Sequence, residues 1–202
     1  MKRVFIFLFL MGIVSPVTAN APSVWGIWGG AGLGMIPFGT LRGSELHGRG
    51  LTLLALHYGR ILIRGKNASL LYTLDVLPAV IAEGSEVTIQ ETNGERMIGR
   101  KTVYGFGANP IGFQLDFGTN HVWRPFAFIT GGFLRFEKPT PTPRATRWNF
   151  STDAGGGVQF LLHDRKSISI GYRLHHFSNA GSGRANPSLN TNVIYFGLNF
   201  FR

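Results

Sequence analysis

The sequence predicts an all-β protein, an eight-stranded antiparallel transmembrane β-barrel that follows a cleaved signal peptide. Three observations predict it. The chain divides into about eight stretches of alternating apolar and polar residues bounded by turn residues. The connections between these stretches alternate between short and long. The composition is rich in Gly (28) and Phe (17), holds no Cys and carries only 15% charged residues. That mix suits an outer-membrane barrel better than a soluble sandwich. Without cysteine, an exported chain has no disulfide-stapled scaffold. Its stability must come from packing or from a closed hydrogen-bonded sheet.

The first element is a targeting segment. Lys2 and Arg3 precede an apolar run from Val4 to Val14, and Val17-Thr18-Ala19 supplies a small-residue cleavage pattern. The signal peptide is read as residues 1–19, with a second cleavage option after Ala21, and the barrel as 20–202. The apolar run is short for a spanning helix, which takes about 20 residues. No later run approaches that length.

Strands are expected at 22–35, 50–62, 68–81, 101–117, 123–136, 148–162, 167–178 and 191–201. Several exceed the ~9–11 residues that cross a bilayer when tilted. The connections after the second, fourth and sixth strands are short, centred on Gly65-Lys66-Asn67, Gly118-Thr119-Asn120 and Asp164-Arg165-Lys166. Those after the first, third, fifth and seventh are longer and more polar: Phe38 to Arg49, Glu83 to Arg100, Glu137 to Arg147 and Asn179 to Asn190. Short periplasmic turns and long external loops characterise small outer-membrane barrels. In the sixth strand Phe150, Ala154, Val158, Phe160 and Leu162 share one phase, against Asn149, Ser151, Asp153 and Gln159. In the eighth, Ile194, Phe196, Leu198 and Phe200 oppose Tyr195, Gly197 and Asn199. This is apolar outside and polar inside. A barrel of eight strands fills its interior with side chains, which argues against a porin.

Other signals exclude more than they assign. Gly29-Gly30-Ala31-Gly32-Leu33-Gly34 lacks dinucleotide-binding spacing and a following helix. Pro139, Pro141 and Pro143 interleave with Thr in what reads as a stiff extended loop. There is no nucleic-acid module and no internal repeat. The formal charge of +10 fits binding to anionic lipid, particularly phosphorylated glycolipid, and equally a general basicity.

The chemistry concentrates in Tyr172-Arg173-Leu174-His175-His176-Phe177-Ser178-Asn179-Ala180. Residues at i and i+2 of a strand share a face. His176 and Ser178 therefore emerge side by side, as a base and the nucleophile it activates must. Their phase is that of Ile168, Ile170, Tyr172 and Leu174, the lipid-facing one. With both termini in the periplasm, this strand runs outward and the pair sits at its outer end. An alternative is that both are simply interfacial polar residues at the edge of the apolar band. Ser167, Ser169, Gly171 and Arg173 take the inward phase, and Arg173 needs an internal partner, for which Asp153 serves. His175 is inward and packed. Adjacent strand residues face opposite sides, so His175-His176 is no metal site, and no cofactor is expected.

The stretch Tyr172 to Ala180, followed by Gly181, Arg184, Asn186-Pro187 and Asn190, resembles the lipid A 3-O-deacylase family (the PagL type). The resemblance implies an outer-membrane barrel of eight strands that hydrolyses the 3-O ester of lipid A in lipopolysaccharide. It implies a His-Ser-acid site on the outer barrel surface within a His-x-Ser-Asn pattern. By position Ser178 is the nucleophile and His176 the general base. Asn179, through its side chain or the amides near Ala180 and Gly181, forms the oxyanion hole. The family's third member is a Glu about a dozen residues after the Ser, and here that position holds Asn190. An Asn can accept a bond from the imidazole N–H and fix its tautomer, but brings no negative charge. A slower enzyme, another orienting residue and an inactive site all follow from that departure. Arg184 and Arg147 are candidate phosphate contacts. A non-enzymatic barrel of structural or adhesive role is the rival reading, and another lipid-modifying barrel, such as an acyltransferase, is a third.

Overall fold

A computed structural model describes residues 23–34, 49–92, 95–118, 121–163 and 165–202, with the backbone alone for those between 85 and 100. The expected signal segment and most of the first external loop lie outside the described residues. The described residues form eight strands: β1 Ser23–Gly34, β2 Gly50–Arg64, β3 Ala68–Thr92, β4 Glu95–Phe117, β5 Trp123–Phe136, β6 Trp148–Leu161, β7 Lys166–Ser178 and β8 Ser188–Phe201. Each pairs antiparallel with the next, and β1 pairs with β8 to close the barrel. Closure satisfies every strand edge, which a sheet in lipid requires because no water is present to do it.

Alternation sets the two faces. Trp25, Ile27, Ile129, Ile170, Phe196 and Phe200 are each more than 40% exposed. A continuous apolar exterior of this kind would make a water-soluble protein aggregate. Facing lipid it is the stable arrangement. Trp25 and Trp123 stand at the ends of the strands next to the short turns, Trp148 stands at the opposite end, and Tyr104, inside the longer β4, lies close to the register level of Trp148. These are the two aromatic belts of a membrane barrel.

The interior is a packed polar core. Arg173 of β7 lies between two carboxylates, with Nη1 3.1 Å from Asp153 Oδ2 and Nη2 3.7 Å from Asp75 Oδ2. Its guanidinium sits 4.0 Å from the Trp28 ring centroid and 4.7 Å from that of Phe128. Asp153 also accepts from Asn109 Nδ2 at 3.0 Å and Thr130 Oγ1 at 2.9 Å, and meets His175 Nδ1 at 2.6 Å. The expected Arg173–Asp153 pair and the inward, buried His175 are both present. Room for this core depends on glycine. A Cβ at Gly171 would lie 2.6 Å from the Tyr195 ring, which flanks Arg173.

Three expectations need correction. The connection from Glu83 to Arg100 is a hairpin rather than a loop: β3 and β4 stay paired from Glu86↔Lys101 to Thr92↔Glu95. Its charged residues read as a loop, but Val87, Thr88 and Ile89 favour strand, and the sequence Asn93-Gly94 is the strongest short hairpin signal. Next, β8 begins at Ser188 rather than 191, so Asn190 lies inside a strand. Pro187, which lacks an N–H to give the ladder, marks the boundary. Finally, the Pro-rich stretch folds back instead of extending: Ala145 N–H donates to Thr142 O at 3.0 Å and Thr140 N–H to Thr146 O at 3.1 Å.

Candidate active site

Strand register builds the site. In β7, Ser167, Ser169, Arg173, His175 and Phe177 are buried, while Ile168, Ile170 and Tyr172 are exposed. His176 and Ser178 belong to the outward set and are half-buried. They lie two residues apart, about 7 Å between Cα atoms along a strand. Across the β7–β8 ladder, His176 faces Asn190 and Ser178 faces Ser188. On the other side, Thr152 and Phe150 of β6 face the same two residues.

His176 Nδ1 lies 2.7 Å from Asn190 Oδ1. An amide oxygen only accepts, so the imidazole proton sits on Nδ1 and Nε2 keeps its lone pair. That tautomer leaves Nε2 as the nitrogen able to take a proton from a hydroxyl. The structure therefore brings His176 and Asn190 into contact and sets Ser178 on their face. The early start of β8 makes this possible, because Asn190 is held in the ladder directly opposite His176 instead of in a loop.

The oxyanion expectation is corrected in part. Alternation carries past Ser178, so Asn179 turns inward and is fully buried. Its Nδ2 donates to Ala185 O at 2.8 Å, and its Oδ1 accepts the Gly181 N–H at 3.0 Å. The Asn179 side chain and the Gly181 amide are thus spent on shaping the loop. Ser182 N–H closes a turn onto Asn179 O at 3.0 Å, with φ of +50° at Ala180 and +78° at Gly181. Positive φ at both central positions is the type I′ pattern. The Ala180 amide enters none of the hydrogen bonds among the described residues. A left-handed non-glycine residue next to the nucleophile position is the strained feature of this loop.

Arg184 and Arg147 are exposed, and no described hydrogen bond joins either to His176, Ser178 or Asn190. Their loops are tied together, since Ala185 N–H donates to Arg144 O at 3.2 Å. Phe150 and Ser188 frame Ser178, a role that the outward phase of Phe150 alone does not show. Their signal lies in hairpin register, which needs both strand ends to be placed correctly. Among the described residues no three His, Asp or Glu side chains gather to hold a metal ion.

Comparisons with known proteins bear on the fold and the family. A crystal structure of the outer-membrane enzyme PagL superposes with a TM-score of 0.61 at 15% identity, covering 85% of this chain and 97% of that one. The outer-membrane protein OprG from Pseudomonas aeruginosa gives 0.50 at 9% identity, covering 90% and 95%. Neisserial surface protein A gives 0.49 at 10% identity, covering 89% and 96%. The first two likenesses are of fold. No curated protein sequence matches the chain. A sequence model described as lipid A 3-O-deacylase (PagL) matches residues 81–199, more than half of the chain. That span runs from within β3 to the penultimate rungs of β8 and takes in His176, Ser178 and Asn190. The chain belongs to the lipid A 3-O-deacylase family, as a β-barrel of the bacterial outer membrane.

Proposed function

We propose that the protein is a serine esterase that removes the 3-O acyl chain from lipid A, using His176, Ser178 and Asn190 on the lipid-facing wall. The observation that carries the reading is the His176 Nδ1–Asn190 Oδ1 contact of 2.7 Å, on the face that also bears Ser178. His176 Nε2 takes the Ser178 proton as Oγ attacks the ester carbonyl. The Ala180 amide donates to the oxygen on which negative charge develops. Collapse of the tetrahedral intermediate breaks the bond to the sugar oxygen, which leaves with the proton from His176. Water then attacks the acyl-enzyme, with His176 again as base, and frees the fatty acid. Asn190 holds the imidazole in the needed tautomer without adding charge.

Position supports the substrate. Ile168, Ile170 and Leu174 continue the same outward phase toward the membrane centre, a surface on which acyl chains can lie. The loop bases Arg184 and Arg147 stand above it on the head-group side. The test is mass spectrometry of lipid A from cells expressing the protein or its Ser178→Ala variant. Loss of one ester-linked acyl chain with the first and not the second is expected. An unchanged acylation pattern from a folded, membrane-inserted barrel would overturn the reading. The presence of Asn190 where the family carries a Glu favours the rival, a barrel of structural or adhesive role. Product analysis separates both from an acyltransferase, which would yield an acylated acceptor instead of free fatty acid.

A further inference from the structure

A second feature of the outer wall is an arginine. Arg135 lies between the buried Leu134 and Phe136 on β5, in the outward phase of Ile129 and Phe133. A cation on a lipid-facing wall is costly unless it lies near the interface and has a partner. The ladder sets Phe106 of β4 on one side of it and Trp148 of β6 on the other. Its guanidinium carbon is 5.9 Å from the first ring centroid and 5.8 Å from the second. Both distances lie within cation–π range. The rings hold the group in place yet accept none of its N–H donors. Among the described residues no carboxylate pairs with it.

We infer that Arg135 is the seat of a phosphate-binding subsite on the barrel exterior, and that its ligand is a phosphate group on the head of the glycolipid substrate. The inference rests on the lipid A reading and adds a recognition element to it. A guanidinium has a planar fork of donors suited to two phosphate oxygens at once. Depth agrees, because Arg135 sits beside Trp148 and one strand from Tyr104, in the outer aromatic belt where head groups begin. Register connects it to the proposed site. Phe133 faces Phe150, and Phe150 faces Ser178, so Arg135 stands two strands across and one outward step above Ser178. Strand spacing and rise put the two Cα atoms about 12 Å apart, the scale of a disaccharide head group. Arg147 and Arg184 carry the same charge on exposed loops and lack such a cradle.

The experiment measures binding apart from turnover. The Ser178→Ala barrel, with and without Arg135→Gln, is titrated in detergent micelles with lipid A carrying its phosphates and with the same lipid enzymatically dephosphorylated. Folding of each variant is verified by the gel-mobility shift between heated and unheated samples. Arg135→Gln is expected to weaken binding of the phosphorylated lipid by about tenfold, the scale of one hydrogen-bonded charge, and to leave the dephosphorylated lipid unchanged. Arg135→Lys keeps the charge without the fork and is expected to fall between. Equal loss on both lipids, or loss on neither, overturns the inference. Equal displacement of both lipids by millimolar inorganic phosphate also overturns it, since the site would then take the free anion rather than the head group. Because Ser178→Ala cannot hydrolyse an ester, phosphate-dependent binding stands or falls independently of deacylation.

Discussion

Replacing Asn190 by Asp isolates the electrostatic quantity in which the proposed site departs from a carboxylate triad. The change is isosteric, so His176 Nδ1–H keeps the acceptor it now has at 2.7 Å. What is added is a negative charge beside the imidazolium that forms when His176 takes the Ser178 proton. A neutral hydrogen bond contributes about 0.5–1.5 kcal/mol and one to a charged group about 1.5–3 kcal/mol, a difference of about 1–1.5 kcal/mol. A bare Coulomb estimate at 4 Å in an effective dielectric of 20 gives ~4 kcal/mol. Both side chains are only half-buried, so solvent screening brings the gain toward the smaller figure. The added charge acts on the step in which His176 takes the Ser178 proton, so the gain belongs to kcat and leaves KM in place. About tenfold faster release of fatty acid follows. The assay is the initial rate of fatty-acid release from lipid A by the purified barrel in micelles, with Ser178→Ala as the blank. Asn190→Ala removes the acceptor and the tautomer control, and is expected to slow the reaction by ten- to a hundredfold, about 1.4–2.7 kcal/mol. If Asn190→Asp brings no gain and Asn190→Ala no loss, residue 190 does not orient His176, and the argument from their contact fails.

Three further predictions test the frame around this site. Ser178→Ala is expected to abolish deacylation while moving unfolding stability by less than about 0.5 kcal/mol, because the hydroxyl is on the outer wall away from the core; a urea titration in micelles checks the second half. Asp153→Ala strips partners from Arg173, His175, Asn109 and Thr130 at once and leaves a buried cation with one distant carboxylate, so the same titration is expected to show a loss of about 3–5 kcal/mol. A loss below 1 kcal/mol would mean that the polar core does not hold the barrel together. Ala180→Gly relieves a left-handed φ of +50° and, after the entropy cost of glycine, is expected to stabilise by about 0.5–1 kcal/mol; destabilisation would show that the turn is not strained.

The parts of the fold legible in the sequence are those governed by the two-residue period. Asp153 and Arg173 fall inward and Phe150, Ile170 and Phe196 outward from alternation alone, and the pairing of Arg173 with Asp153 follows from the expense of an unpartnered buried cation. What alternation does not supply is register and length. The charged residues from Glu86 to Arg100 make a strand pair read as a polar loop, although Asn93-Gly94 lies between them in the sequence as a hairpin signal. An expected start of the last strand at 191 leaves Asn190 at a loop end, although the outward phase it shares with Asn192 and Ile194 and the antiparallel neighbourhood of the last two strands bring it near His176, where the structure has it. Family resemblance makes Asn179 a donor to the reaction, yet the same alternation that exposes Ser178 buries its neighbour. Its part in the loop depends on Ala185 and Gly181 closing around it, which a one-dimensional pattern does not encode.

A filled interior decides where chemistry can occur. Arg173, His175 and Phe177 lock the inward side of β7: Arg173 into two carboxylates, His175 onto Asp153, Phe177 against Phe136 at 5.4 Å between centroids. Arg173 lines an interior cavity of only about 40 Å³, too small for a lipid, so groups meeting lipid lie on the other side of the same strand. The locking also serves precision, because outward side chains on an anchored strand are held more rigidly than side chains on a loop. Specificity then becomes a matter of depth. Ser178 ends β7 at the boundary of the apolar band, and an ester can reach it only if its head group rests at a fixed height on the rim. Arg135, one step further out on the wall, supplies a fixed point for that height. The distance from Arg135 to Ser178 then acts as a ruler between a head-group phosphate and the ester that is cut, and moving the arginine along β5 is expected to change which acyl chain is lost before it changes how fast. Gly131, two outward rungs nearer the membrane centre, offers the place to test this: Arg135→Gln combined with Gly131→Arg is expected to shift the cleaved position in the mass spectrum of the product lipid, and an unchanged cleavage position at reduced rate would show that depth is set elsewhere.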